Sequence, residues 1–120
     1  MKTVASALRK IEIVDVAKRF DGDAPGLPPV LGRLSLNVAE NEFLVVLGRS
    51  GCGKTTLLNI IAGLERASAG TVRVDDVVVA RPGGGKGMVF QQGALFPWLT
   101  ARQNVEFAAR NLIKTLVEQK

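Results

Sequence analysis

Residues 48–55 read GRSGCGKT, a full match to G-x-x-x-x-G-K-[ST], and what lies on either side restricts the fold further. Phe43 to Leu47 (FLVVL) is an unbroken apolar run of the kind a strand buried on both faces needs. Thr55 to Ala62 (TTLLNIIA) is helical in period. Strand, glycine loop and helix in that order predict an α/β fold with a phosphate-binding turn between its first parallel strand and first helix. A glycine-rich turn carrying a solvated lysine would not require that order.

The residue types suit the chemistry. Gly48, Gly51 and Gly53 let the backbone wrap an anion, with amide N–H groups pointing inward and no Cβ in the way. A helix opening at Gly53 adds its positive end. Lys54 brings a full charge to the β and γ phosphates of ATP or GTP, and the Thr55 hydroxyl is a natural ligand for Mg²⁺. Thr56 is a second phosphate contact, and Arg49, Ser50 and Cys52 complete the loop.

With 120 residues and 47% apolar residues, the chain can bury a core. No apolar stretch approaches the length that crosses a bilayer, since FLVVL stops at Gly48 and Arg49. The start, MKTVASALRK, imitates a secretory signal, but only Thr3 to Leu8 separate Lys2 from Arg9, too short for export. The net charge of +5 is scattered, with doublets only at Arg9-Lys10 and Lys18-Arg19. A solvated basic surface is therefore expected rather than a nucleic-acid patch. Cys52 is the single cysteine, which precludes an internal disulfide and suits a reducing cytosol.

Elsewhere, Arg9 to Ala17 reads as an early strand, Asp21 to Pro29 as a loop, and Leu34 to Val38 as a half-buried strand turning at Glu40–Glu42 into FLVVL. Gly63 is a helix stop, and Thr71 to Val79 reads as a hairpin turning at Asp75-Asp76. The acids of TVRVDD are turn residues, because Arg73 breaks the apolar run that would precede a catalytic Asp-Glu pair. GGGKG (83–87) lacks a Ser or Thr after Lys86 and is a connector, not a second phosphate loop. Gly87 to Phe90 is expected to enter a strand ended by Gln91-Gln92. The apolar loop GALFPWL (93–99) either exposes Phe96 and Trp98 for a partner or packs them on their own domain. Thr100 and Gln103 fit a capping box, and Val105, Ala108, Leu112 and Leu116 share one face of a helix from about Ala101 to Val117.

NEFLVVLGRSGCGKTTLLNIIAGLE, the GTVRVDD hairpin and GMVFQQGALFPWLTARQNVEF together resemble the N-terminal half of an ATP-binding cassette (ABC) transporter ATPase. PWLTARQNV is closest to the importer group for nitrate, sulfonates and taurine. The resemblance implies an α/β P-loop NTPase (ABC ATPase-like) N-terminal portion: a mixed sheet, an antiparallel β subdomain, and a helix after the phosphate loop. It implies ATP and Mg²⁺ as ligands and makes Lys54 and Gln91 the catalytic residues. Gln91 would ligand Mg²⁺ beside Thr55 and help place the attacking water, while Phe20 would stack on adenine or, as a single Phe, equally belong to the core. It also implies a transmembrane permease docking at Gln91 to Thr100, an ATPase homodimer, and only indirect dealings with a solute-binding protein. The implied location is cytoplasmic, peripheral on the inner face of the plasma membrane, with no nucleic-acid partner.

Departures limit what carries over. Arg49 replaces a more usual Pro, Glu or Asn, and the 21–29 connection is long. The chain contains no LSGGQ signature, no apolar strand ending in Asp-Glu and no histidine. Residues 1–120 are accordingly expected to be a partial, truncated nucleotide-binding domain that binds ATP without turnover by itself. The alternatives are a non-catalytic permease-binding fragment and, further off, a small kinase, for which no substrate lid or catalytic carboxylates are found.

Overall fold

The chain runs as two units, residues 1–87 and 88–120, and the computed structural model describes residues 9–22, 24–83 and 85–118, without the side chains of 112 and 115–118. The signal-like residues 1–8 lie outside the described residues. In the first unit, β1 (Arg9–Lys18), β2 (Leu31–Ala39), β3 (Ala69–Val74) and β4 (Val77–Val78) form one antiparallel sheet ordered β2-β1-β3-β4. Helix α1 (Lys54–Ala62) lies between β2 and β3 in sequence and packs on the sheet.

The sheet's centre is β1, where Ile13 pairs with Leu36 on one side and Val72 on the other. A regular strand would next bury Asp15, but the chain instead bulges there. Asp15 takes φ 52, a left-handed conformation that Asp tolerates better than most residues. Its N–H donates to Ser35 Oγ (2.9 Å), and both neighbouring ladders shift register around it. The extra residue turns Asp15 outward and brings Val16 and Lys18 to the face already occupied by Ile13, so all three are buried. Ile13, Val16, Leu31 and Val72 then close on Leu57 and Ile60 of α1 to make the core.

The β3–β4 turn is a two-residue loop with Asp75 at φ 50 and Asp76 at φ 62, the left-handed pair that matches strand twist. Lys10 Nζ pairs with Asp75 Oδ1 at 2.8 Å, and this bond holds the Lys10 ammonium above its ordinary pKa. Both acids are turn residues, as expected.

Two expected strands do not form. Residues 43–47 and 87–90 have no ladder partner. Phe43 is 91% exposed and Leu47 87%. The physical reason is pairing: a strand buried on both faces needs neighbours on its edges, and every ladder among the described residues is antiparallel and uses other segments. The α/β class and the antiparallel subdomain stand, while the parallel part of the expected sheet is not assembled by these residues.

In the second unit, residues 96–99 turn (Leu99 N–H to Phe96 O, 3.1 Å) and α2 (Ala101–Glu118) follows. The capping box is present: Gln103 N–H donates to Thr100 Oγ1 (3.3 Å), and Thr100 N–H donates to Gln103 Oε1 (2.8 Å). Of the apolar face expected on α2, Val105 and Ala108 are exposed, and the side chains of Leu112 and Leu116 lie outside the described residues.

Candidate phosphate-binding site

The loop before α1 is shaped by its own backbone and by Lys54. Cys52 N–H donates to Arg49 O (3.2 Å), turning the chain. The Lys54 ammonium reaches back to donate to Gly48 O (2.7 Å) and Arg49 O (2.8 Å) and lies 3.6 Å from Cys52 Sγ. A flexible cation is thereby fixed within the turn. Gly48 allows this closeness, since a Cβ there would stand 2.5 Å from Cys52 Sγ.

Gly53 caps the helix at φ 94 and is buried. A Cβ would meet Val30 O at 2.7 Å and Leu31 Cδ2 at 2.8 Å, so the start of α1 rests directly on the entrance to β2. No side chain caps α1 and no acidic residue lies in its first turn. The first intrahelical bond is Leu57 N–H to Gly53 O (2.9 Å), which leaves the amides of Lys54, Thr55 and Thr56 as the free donors of the helix end. Those amides, the positive helix end and the tethered ammonium are groups suited to an anion, with Thr55 exposed and Thr56 half-buried beside them. Gly51 sits in the open part of the loop, and Arg49, Ser50 and Cys52 are exposed around it.

Phe20 lies in the same unit, just past β1, and is 39% exposed. Lys18 Nζ stands 4.7 Å from the centre of its ring. Lys18 is only 8% exposed, and its ammonium also donates to Glu65 Oε1 (2.6 Å) and Arg66 O (2.9 Å). The bond from Lys18 holds the Glu65 carboxyl below its ordinary pKa. Sequence reasoning did not single out Lys18 or Glu65, because the period of β1 gives no sign of the bulge that turns Lys18 inward.

Gln91 belongs to the second unit, where it and Gln92 are exposed in a bend. The two rings of the 93–99 loop have different fates. Phe96 stacks edge-on against Phe107 of α2 (centroids 5.0 Å, 77°) and lies 5.2 Å from Trp98. Trp98 is 75% exposed, as is most of Leu95. Asn104 fixes the loop: its Oδ1 accepts from Phe96 N–H (2.9 Å), and its Nδ2 donates to the carbonyls of Phe96, Leu99 and Thr100. Asn104 also went unnoticed in the sequence, although an Asn one turn into a capped helix was the available signal.

A phosphate loop that seats an antiparallel sheet against the following helix defines a class of nucleoside-triphosphate-binding proteins. Within that class, the ABC transporter family profile matches residues 31–120, and the chain belongs to this family. The taurine import ATP-binding protein TauB of Mesorhizobium japonicum is 50% identical over 95 residues, covering 79% of this chain and 36% of that protein. The nitrate import ATP-binding protein NrtD of Synechocystis is 44% identical over 100 residues, covering 83% and 37%. The chain thus spans little more than a third of these relatives. A solved ATP-binding cassette, dimeric and bound to ADP and Pi in a post-hydrolysis state, superposes with a TM-score of 0.72 at 32% identity, covering 88% of this chain and 47% of that one. Among the described residues no helix is long and apolar enough to cross a membrane.

Proposed function

We propose that this chain binds ATP through residues 48–56 as the nucleotide-binding part of an importer ATPase for nitrate, sulfonate or taurine. The observation that carries the reading is the Lys54 ammonium tied to Gly48 O and Arg49 O beside a helix end that no side chain caps. The phosphates would take the amides of 53–56 and the Lys54 charge, and Phe20 would stack on the base. Among the described residues no cluster of His, Cys, Asp or Glu could hold a metal by itself. Mg²⁺ takes one or two protein ligands and fills its shell with phosphate oxygens and water, and in the first unit the Thr55 hydroxyl would be such a ligand. Bound Mg²⁺ would neutralise charge on the phosphates.

The chain's own groups bind and orient but do not complete phosphoryl transfer, which depends on positioning and charge stabilisation around the attacking water. The 120 residues include no histidine and no signature motif, and for these residues on their own we propose ATP binding without turnover. The relatives' names support the importer assignment, and the dimeric solved cassette supports pairing of two such ATPases. The exposed Leu95 and Trp98 favour a permease contact over residues 91–100, with the protein peripheral on the inner face of the plasma membrane and the solute-binding protein reached only indirectly. The same observation supports the second reading, a non-catalytic permease-binding fragment.

Calorimetric titration with Mg-ATP and a phosphate-release assay test the proposal together. Wild type should bind with negligible release, and Lys54→Met should weaken binding at least about tenfold, the scale of a charge-assisted contact. Unchanged binding by Lys54→Met would remove the loop from the proposal, and steady phosphate release from the isolated wild-type chain would remove the claim of no turnover. Co-purification with a permease by a variant that no longer binds ATP would favour the second reading.

A further inference from the structure

We propose that Lys18 is a positioning residue for base recognition, holding the Phe20 ring in register with the phosphate loop. The inference rests on the reading of Phe20 as the base-stacking ring and adds how that ring is held. Three contacts converge on one buried ammonium: Glu65 Oε1 at 2.6 Å, Arg66 O at 2.9 Å, and the Phe20 face at 4.7 Å. Burying an ammonium is costly unless its donors are paired, so Glu65 and the Arg66 carbonyl are what keep Lys18 in place beneath the ring.

The same lysine is connected to the phosphate loop by two routes. In the sheet, Lys18 pairs with Leu31, and Leu31 is the residue on which Gly53 rests at the start of α1. At the other end of α1, Leu64 and Glu65 N–H both donate to Asn59 O, so Glu65 is fastened to the helix that the loop begins. Ser68 then sews this connection to the end of β1: its N–H donates to Ala17 O (2.8 Å), its hydroxyl donates to Arg19 O (3.0 Å), and its Oγ accepts from Arg19 N–H (3.0 Å). The Asp15 bulge completes the arrangement by turning the Lys18 side chain inward. A ring held this way meets the base without first giving up its own freedom, and such ordering is worth a several-fold change in affinity.

The test compares Mg-ATP with inorganic tripolyphosphate, which offers phosphates and no base, on wild type, Phe20→Ala, Lys18→Met and Lys18→Arg. Lys18→Met should weaken ATP binding about fivefold and leave tripolyphosphate unchanged, Lys18→Arg should recover most of the loss, and Lys18→Met should add nothing once Phe20 is Ala. If Phe20→Ala leaves ATP affinity intact, the base-stacking reading falls and this inference with it. If Phe20→Ala weakens ATP but Lys18→Met does not, only the positioning role is overturned. Equal losses for ATP and tripolyphosphate in Lys18→Met would mean a general structural role and also overturn it. Should Lys18→Met fail to fold, Glu65→Ala carries the same comparison, with a smaller loss expected for ATP alone.

Discussion

The chain begins two helices in opposite ways. At α2, Thr100 and Gln103 exchange hydrogen bonds across the first turn, and Asn104 collects the carbonyls of the preceding loop. That end is satisfied by its own side chains. At α1, the cap is a left-handed glycine, no side chain bonds to the first-turn amides, and the nearest charge is the Lys54 ammonium. A Ser, Thr, Asp or Asn cap would contribute about 1 kcal/mol to a helix start, and at Gly53 no such side chain takes up the amides. One end satisfies its amides with its own side chains and the other leaves them open, which is what the proposed phosphate site requires.

Substitutions at the two caps should break along that line. Gly53→Ala has the larger effect, because the methyl group must displace Val30 O while the backbone stays left-handed. A loss of about 3 kcal/mol in unfolding free energy is expected, together with loss of nucleotide binding at temperatures where the variant is folded. Chemical denaturation and titration measure the two parts, and a variant of wild-type stability would show that the helix start can move away from β2. Thr100→Ala should cost about 1 kcal/mol of helix stability, seen by far-ultraviolet circular dichroism, with ATP affinity unaltered. A parallel drop in ATP affinity would mean that the two helix starts are not functionally separate.

What was legible in the sequence follows a similar division. The helix start at Gly53, the Asp75-Asp76 turn and the Thr100 capping box are local motifs whose geometry is set within a few residues, and each takes the expected form. Residues 43–47 failed as a strand because an apolar run states only a willingness to be buried. Pairing requires partners along the edges, and β1 found β3 some sixty residues away while 43–47 found none among the described segments. Lys18 was invisible for a subtler reason. Alternation assigns it the face opposite Ile13 only if the register from Ile13 is continuous, and one residue in a left-handed bulge at Asp15 reverses that assignment. The loop residues proposed to bind phosphate were therefore readable, and the support proposed for the base was not.

The smallest expected effect probes that support through pH. Hydrogen bonding from Lys18 lowers the folded-state pKa of Glu65 beneath its ordinary value of 4.5. A depressed carboxylate contributes stability that is fully present above that ordinary value and fades as pH falls through the lower, folded value. Glu65→Gln stays neutral throughout, so its deficit against wild type should be largest near neutrality and should close as the pH falls through the folded-state value. Thermal melts of the two proteins across that range measure the gap, which is expected to be modest because Glu65 is solvated on one side. A gap of constant size would mean that the carboxylate charge is not what retains the ammonium. Lys18 would then be kept beneath Phe20 by the Arg66 carbonyl and the ring alone, and its hold on the ring would persist in acid.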